Sequence, residues 1–454
     1  SKTQVVVGRV AGLGVLVTLL GAAILAISTR DLIVSFTGTT AVVIGLAALT
    51  PWTTVFLMRS MGGSLERLFG LLGRLAPRNV IRSQSRTAVA VAALMIAIAV
   101  TIGVQVMIAS FRTTVSIWLE QTLRGDVYIS AQGFGSTRPD TPLDPQVIAI
   151  VASQSRIRSH IGIRVVNVES KNGPLELVAT DVERPLDARL FLQAQGSPQN
   201  AWQMVKDGAV LLSEPLASRL GVSTTGGSLE LLTPQGWRSF RIAGIYADYA
   251  STRGTVRMSR EVYQNLWHDD KVNGLALFAV PGADVDVITA DLHIQLANFP
   301  TIQVNPSAVL RQDAFAVFDR TFAITAAMQL ITTIVAFIGV LSSLLALQLE
   351  KAREIGILRA LGLNLAEMRQ LTLWETGLLG ASAGLLALPT GYILAWILIF
   401  VINQRSFGWT LQMQVPPAPF AQAFVLAVGA ALLAALYPVW RLSRMQAAEA
   451  LRGE

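Results

Sequence analysis

Between Thr87 and Ser110 the chain reads TAVAVAALMIAIAVTIGVQVMIAS, with no charged side chain. A run of that length and character matches the roughly 20 apolar residues that cross a bilayer. Such a segment must be helical, because lipid satisfies no backbone N–H or C=O. Similar runs lie near 5–27, 32–58, 322–349, 373–401 and 420–440, so six spanning helices are expected. Composition agrees. Only 14% of the 454 residues are charged and 52% are hydrophobic, whereas soluble domains carry about 25% charged residues. Mean hydropathy is +0.52.

The basic residues orient these spans. Segment 59–86 carries Arg59, Arg67, Arg74, Arg78, Arg82 and Arg86 against one acid, Glu66, and is expected in the cytoplasm. The block 350–370 and the tail with Arg441, Arg444 and Arg452 fall on the same side, so both termini are cytoplasmic. The turns 28–31 and 403–418 hold one basic residue each and face out. The net charge of +7 and the pI near 10 follow from this bias, and nucleic acid is not an expected partner. With no Cys, disulfides and thiol chemistry are excluded. His160, His268 and His293 show no metal-ligand spacing, so no metal is expected. The chain starts at Ser1 without Met and is read as a fragment or processed product.

One long segment, 125–312, is not membrane-like. GDVYIS, GIRVVNVES, LELVAT, GAVLLS, SLELLTPQGWRSFRIAGIYADY and GLALFAV read as strands bounded by turn residues. SEPLASRLG and DVDVITADLHIQLANF read as helices, the second capped by Asp284. This is an extracytoplasmic α+β domain between the third and fourth spans, held by packing alone. From Thr87 to about Leu123 nothing breaks the helical pattern, and at 1.5 Å per residue that is roughly 55 Å, against about 30 Å of hydrocarbon. The excess, FRTTVSIWLEQTL, is expected to form a stalk with RQDAFAVFDRTFAIT; the alternative is a pair of linkers lying on the bilayer. The chain thus divides into two linking spans (1–60), a cytoplasmic amphipathic segment (61–86), the third span with stalk (87–124), and the outer domain (125–312). Stalk and fourth span (313–349), the charged block (350–370) and the last two spans with the tail (371–454) follow.

The charged block is EKAREIGILRALGLNLAEMRQL. Glu350, Arg353, Glu354 and Arg359 stand at helical spacings, and Ile355, Leu358, Leu361 and Leu365 share a face. Gly362 suits a left-handed C-terminal position. Asn364 can cap the next helix, with Glu367 three residues on in capping-box position. A short amphipathic helix, a corner and a new helix are expected. The apolar face fits lipid headgroups or a groove on a partner protein, and spacing does not choose between them.

REIGILRALGLN followed by EMRQLTLWETGLLGASAGLLALPTGY resembles the signature of FtsX/MacB-type ABC transporter permeases, and YPVWRLSRMQAAEALRGE is similar to that family's ending. RNVIRSQSRTAVAVAAL resembles the helix before the family's extracytoplasmic domain. GAVLLSEPLASRLGVSTTGGSLELL with FRIAGIYADY resembles its periplasmic core. The likeness covers about 75–454. It implies that Glu350, Arg353, Glu354, Ile355, Gly356, Leu358, Arg359, Leu361 and Gly362 form a coupling helix for an ABC ATPase dimer. It also implies that Glu375 is the acid where the fifth helix enters the membrane. The two leading spans depart from the four-helix version and resemble the second half of a ten-helix permease. A first-half permease unit or a second permease copy is then a partner, with membrane lipid and a periplasmic accessory or cargo protein. The implied location is a bacterial inner membrane.

No GxxxxGK[ST] occurs and none of the five Lys follows a Gly, so P-loop chemistry is not expected on this chain. The chain is expected to be no enzyme and to bind no cofactor, with ATP and Mg on the partner. The implied function is export or extraction of amphiphilic cargo, such as lipoprotein, lipid, peptide or drug. The alternative is mechanical control of an extracytoplasmic enzyme such as a cell-wall hydrolase. An ion-coupled carrier ranks last, because it needs several midplane ionisable groups and only Glu375 lies near the membrane edge. Glu375 reads first as a structural anchor favoured by the helix dipole. Gln105 and Gln329 read as interhelical contacts, Pro389 as a kink, and Gly377, Gly380, Ala381 and Gly384 as a packing face. Asp181 with Glu183, and Asp269 with Asp270, read as solvated acids. Trp202, Trp237 and Trp267 read as core or rim.

Overall fold

The computed structural model describes residues 2–27, 31–82, 84–131, 141–182, 187–222, 226–251, 253–360 and 364–444. For some residues inside the helices, chiefly 343–360 and 437–444, the backbone alone is described. The chain forms two compact units, one of residues 1–111, 322–406 and 411–454, the other of 112–321 and 407–410.

In the membrane unit, α1 (Lys2–Ala26) and α2 (Leu32–Ala48) form an antiparallel hairpin. Glycines let them touch backbone to backbone. A Cβ on Gly21 would lie 2.7 Å from the carbonyl oxygen of Gly38, and one on Gly45 would lie 2.7 Å from that of Gly14. Helix α3 (Thr50–Arg82) is broken at Gly70, whose φ of 60° and ψ of −138° are open to glycine alone. Helix α4 (Gln84–Thr122) runs 39 residues without a break, the length expected for a span plus stalk. Helix α10 (Ser307–Ala360) runs 54 residues and takes in the fourth expected span. The charged block is therefore not a separate short helix up to Ala360. No Gly or Pro lies between Leu341 and Arg353, so nothing interrupts the ladder of backbone bonds. Helix α11 (Leu365–Ile397) passes through Pro389, continues as one π-helical stretch (Leu398–Asn403) and ends in the single turn α12 (Gln404–Phe407). Helix α13 (Pro417–Arg444) closes the unit. Five helical segments among the described residues are long and apolar enough to cross a membrane.

Helix α11 is packed closely on two sides. A Cβ on Gly380 would lie 2.5 Å from that of Ala431, and one on Gly384 would lie 2.9 Å from the Phe424 ring, both on α13. A Cβ on Gly391 would lie 2.6 Å from Ile102 of α4, and one on Gly103 of α4 would lie 2.9 Å from Leu394.

Among the described residues the outer unit is built on ten strands. These are β1 (Val127–Ala131), β2 (Ile157–Ser170), β3 (Gly173–Thr180), β4 (Phe191–Ala194), β5 (Val210–Ser213), β6 (Ser228–Thr233), β7 (Gly236–Tyr246), β8 (Thr255–Ser259), β9 (Gly274–Ala279) and β10 (Ile302–Pro306). The order is β10-β1-β9-β2-β3-β8-β5-β7-β4, with β6 paired to β2 and β7. Pairing is antiparallel except for β3 with β8 and β5 with β7. Helices α5 (Pro145–Ala152) and α9 (Val285–Gln295) cover one core, around Val127, Ile129, Leu275, Leu277 and Leu292. Helices α7 (Glu214–Leu220) and α8 (Arg260–Trp267) cover a second, around Leu177, Leu212, Val256 and Met258. Helix α6 (Pro198–Lys206) buries Trp202 in a third with Leu211 and Tyr246.

All six sequence-marked strand regions are strands, and Asp284 accepts from the Asp286 amide as a cap. Strands β4, β8 and β10 and helices α5, α6 and α8 carried no mark. Two acids expected to be solvated are instead partly buried in ion pairs. Asp181 accepts from Arg260 Nε at 2.5 Å and from the Gly162 amide at 2.6 Å. Asp269 accepts from Arg164 Nε at 2.8 Å and from Tyr263 Oη at 2.9 Å. These bonds stitch β2 to the strand-exit loop and α8, which gives both acids a structural task. Glu183 lies outside the described residues, and Asp270 is exposed. Trp237 is half exposed at the β6–β7 hairpin, and Trp267 stacks on Tyr263.

Side-chain contacts join α4 and α10 within the outer unit. Arg112 Nη1 donates to Asp319 Oδ1 at 3.0 Å and its guanidinium lies over Phe315. Residues 407–410 fold with the outer unit. Tyr249 Oη donates to the Thr410 carbonyl at 2.7 Å, and the Trp409 and Trp118 rings each meet Tyr249 edge-on.

Candidate coupling site

The site begins where α11 starts. Asn364 is extended (φ −81°, ψ 158°) and its Oδ1 accepts from the Ala366 amide at 2.7 Å. Glu367 Oε2 returns the bond by accepting from the Asn364 amide at 2.9 Å. The capping box expected from sequence is present. The backbone on the other side of the corner is helical to Ala360, which places Glu350, Arg353, Glu354, Ile355, Gly356, Leu358 and Arg359 on the last turns of α10. Their side chains, and all of Leu361 and Gly362, lie outside the described residues.

Ten positions into α11 stands Glu375. That is almost three turns from the helix start, and the dipole effect fades within the first turn. The macrodipole is therefore not what holds this acid. Its partner is Asn79 on the second arm of α3, 71–82, whose Nδ2 donates to Glu375 Oε1 at 2.5 Å. Beside this bond Phe69 packs on Trp374, ring centroids 4.2 Å apart. Gly70 makes the geometry possible by turning the chain between the ring contact and the arm. The arm is amphipathic. Ala76, Pro77 and Val80 are buried, while Arg74, Arg78 and Arg82, each four residues apart, form an exposed ridge.

The structure thus joins Glu375 to a residue that sequence reading passed over. The signal was present, since Asn79 is a polar side chain on a helix whose other inward positions are apolar. Nothing here resembles a nucleophile, a base or a ligand cage, and the described residues hold no cluster suited to a metal ion. An amide–carboxylate bond can hold two helices in register.

Two family matches fall on these two units. Residues 326–447 match the FtsX-like permease C-terminal family, and residues 87–293 match the MacB-like periplasmic core domain. The chain therefore carries an FtsX-like permease C-terminal segment and a MacB-like periplasmic core segment. Among curated relatives, an uncharacterized ABC transporter permease protein of Mycobacterium tuberculosis is 39% identical over 94% of this chain and 50% of its own length. The lipoprotein-releasing system transmembrane protein LolC of Xylella fastidiosa is 28% identical over 54% of this chain and 65% of its own. The chain so spans about half to two thirds of the length of the curated relatives it matches. Among solved structures, the periplasmic region of MacB from Actinobacillus actinomycetemcomitans aligns with TM-score 0.31 and 15% identity, covering 43% of this chain and 97% of that one.

Proposed function

We propose that this chain is the permease subunit that couples ATP hydrolysis on a separate ATPase to motion of its periplasmic domain. Amphiphilic cargo (lipoprotein, lipid, peptide or drug) would be extracted or expelled from the outer leaflet or the periplasm. The observation carrying this reading is the continuity of α10. One helix of 54 residues starts directly after β10 and runs to Ala360, inside the charged block. In this reading a push on its cytoplasmic end is passed along that helix. Close packing of α4 on α11 at Gly103 and Gly391 leaves no room for cargo between them, which favours mechanical work over a channel.

In this reading Glu350, Arg353, Glu354, Ile355, Gly356, Leu358, Arg359, Leu361 and Gly362 dock on the ATPase, and ATP and Mg belong to that partner. The two leading helices make the chain the second half of a ten-helix permease. The test is charge reversal. Exposed ion pairs contribute only about 0–1 kcal/mol to folding. Glu354→Lys with Arg359→Glu should therefore leave insertion and melting nearly unchanged while abolishing co-purification with the ATPase and its stimulation. A normal complex and normal turnover in the double variant would give the block to lipid instead. The same unbroken helix also suits control of a periplasmic enzyme without transport. Cargo release in reconstituted vesicles separates the two.

A further inference from the structure

We propose that Asn79 is a positioning residue that keys the cytoplasmic arm 71–82 to α11 through Glu375, so that arm and helix move as one body. The arm meets the rest of α3 at Gly70, which sits at φ 60° with nothing within 4 Å of where its Cβ would be, and across that break Arg74 pairs with Glu66 at 3.4 Å while Gly73 lies against the Leu65 backbone. Those contacts hold the arm to its own helix. Toward α11 the described side chains add, side by side, Asn79 Nδ2 to Glu375 Oε1 and, on the other side of Gly70, Phe69 against Trp374. The ring contact fixes the pivot point and the amide bond fixes the angle. Ala76 and Val80, 1% and 2% exposed, add buried apolar surface, whose attraction is less directional than a hydrogen bond. A charge-assisted bond is directional and short.

Keyed in this way, the arm carries its ridge of Arg74, Arg78 and Arg82 along with whatever moves α11. The corner at Asn364 lies on the same helix as Glu375, so displacement of the charged block reaches the ridge through α11. This coupling half rests on the function proposed above; the keying half does not.

This sequence has no Cys, so spin labels can be placed at Arg78→Cys and Arg369→Cys, both exposed, in the chain in lipid vesicles. The distance between them should be a single narrow distribution. Asn79→Ala and Asn79→Asp should broaden its width at least twofold, the second by setting two carboxylates face to face. The exchange Asn79→Glu with Glu375→Asn keeps the same atoms in the pair and should restore the narrow distribution. An unchanged width in both single variants would overturn the keying, and so would failure of the exchange where the variant still inserts and melts normally. With the ATPase subunit added, Asn79→Ala should keep the complex and lose about tenfold in stimulated hydrolysis. Full stimulation despite a broadened distance would refute the coupling half alone. Should Asn79→Ala fail to insert, Asn79→Gln, which reaches one methylene too far, gives the same readouts.

Discussion

The guanidinium of Arg405 donates to the hydroxyl of Ser35 at 2.8 Å and to the carbonyls of Leu25 and Ile27 at 2.7 and 3.0 Å. Helix α1 has no basic residue in its last turn, and Arg405 supplies that charge from a distant part of the chain. Ser35 is fully buried. Hydrogen bonds to charged groups contribute about 1.5–3 kcal/mol, so Arg405→Ala should lower the melting temperature and loosen the α1–α2 hairpin to protease. Arg405→Lys should lose much of the same stability, because an ammonium cannot span three acceptors in a fork. Limited proteolysis and thermal unfolding in detergent read both effects.

The close contact of α11 with α13 gives a paired prediction. Gly380→Ala drives a methyl to 2.5 Å from Ala431 and should destabilise by about 1–3 kcal/mol. Gly377→Ala meets only Leu432 at 3.5 Å and should be neutral or gain up to about 1 kcal/mol. Equal melting of the two variants would contradict the packing.

A third prediction concerns stiffness. Replacing Thr113 and Ser116 by Gly loosens α4 in its stalk portion at about 1 kcal/mol each, too little to unfold the chain, and keeps the phase of the helix. Transport, or control of a periplasmic enzyme, should fall severalfold while ATPase binding holds. Full activity would show that the stalk need not be rigid.

Acidity should relieve the burial of one carboxylate in the periplasmic domain. Glu214 accepts from the Thr410 amide at 2.9 Å and from its hydroxyl at 2.5 Å. Burial is the main influence and raises its pKa above 4.5, only partly offset by those bonds. The folded state then holds the proton more tightly than the unfolded one. Its stabilising share is complete below about 4.5 and is lost as pH rises above that value. Asp187, held down to about 2 by Arg189, acts oppositely but only below its ordinary 3.8. Melting from pH 4 to 7 should therefore fall more steeply in the wild type than in Glu214→Gln. Parallel curves would remove Glu214 from the account.

Sidedness is tested by single Cys at Ser64, Ser228 and Ser443. An impermeant thiol reagent on intact cells should reach the one at Ser228 alone, and labelling at Ser64 would reverse the topology.

Much of this architecture was legible because its causes are local. Uncharged runs force helices in lipid, Asn364 and Glu367 are three apart, and the marked strands are rich in β-branched and aliphatic residues. Other features have distant causes. Strand β8, TVRMS, is strand only because β3 and β5 flank it, and β4 is an edge held by β7 alone. Asn79 and Glu375 stand 296 residues apart, and Arg405 is 370 from Ser35, spacings that no periodicity registers. Asp181 and Asp269 read as solvated because a lone acid in a loop gives no hint of the Arg brought beside it by folding.

The unbroken run of α10 also sets a rule for change over time. Each residue in a helix adds about 100° of rotation and 1.5 Å of rise. One residue gained or lost inside α10 would turn the fourth span, or the charged block, away from its own neighbours by more than a quarter turn. Loops absorb such events, but this helix of 54 residues has none. Seven residues restore the phase to within about 20°. Related chains should therefore vary freely in the letters of α10 yet keep its length, or change it in steps of seven or eleven.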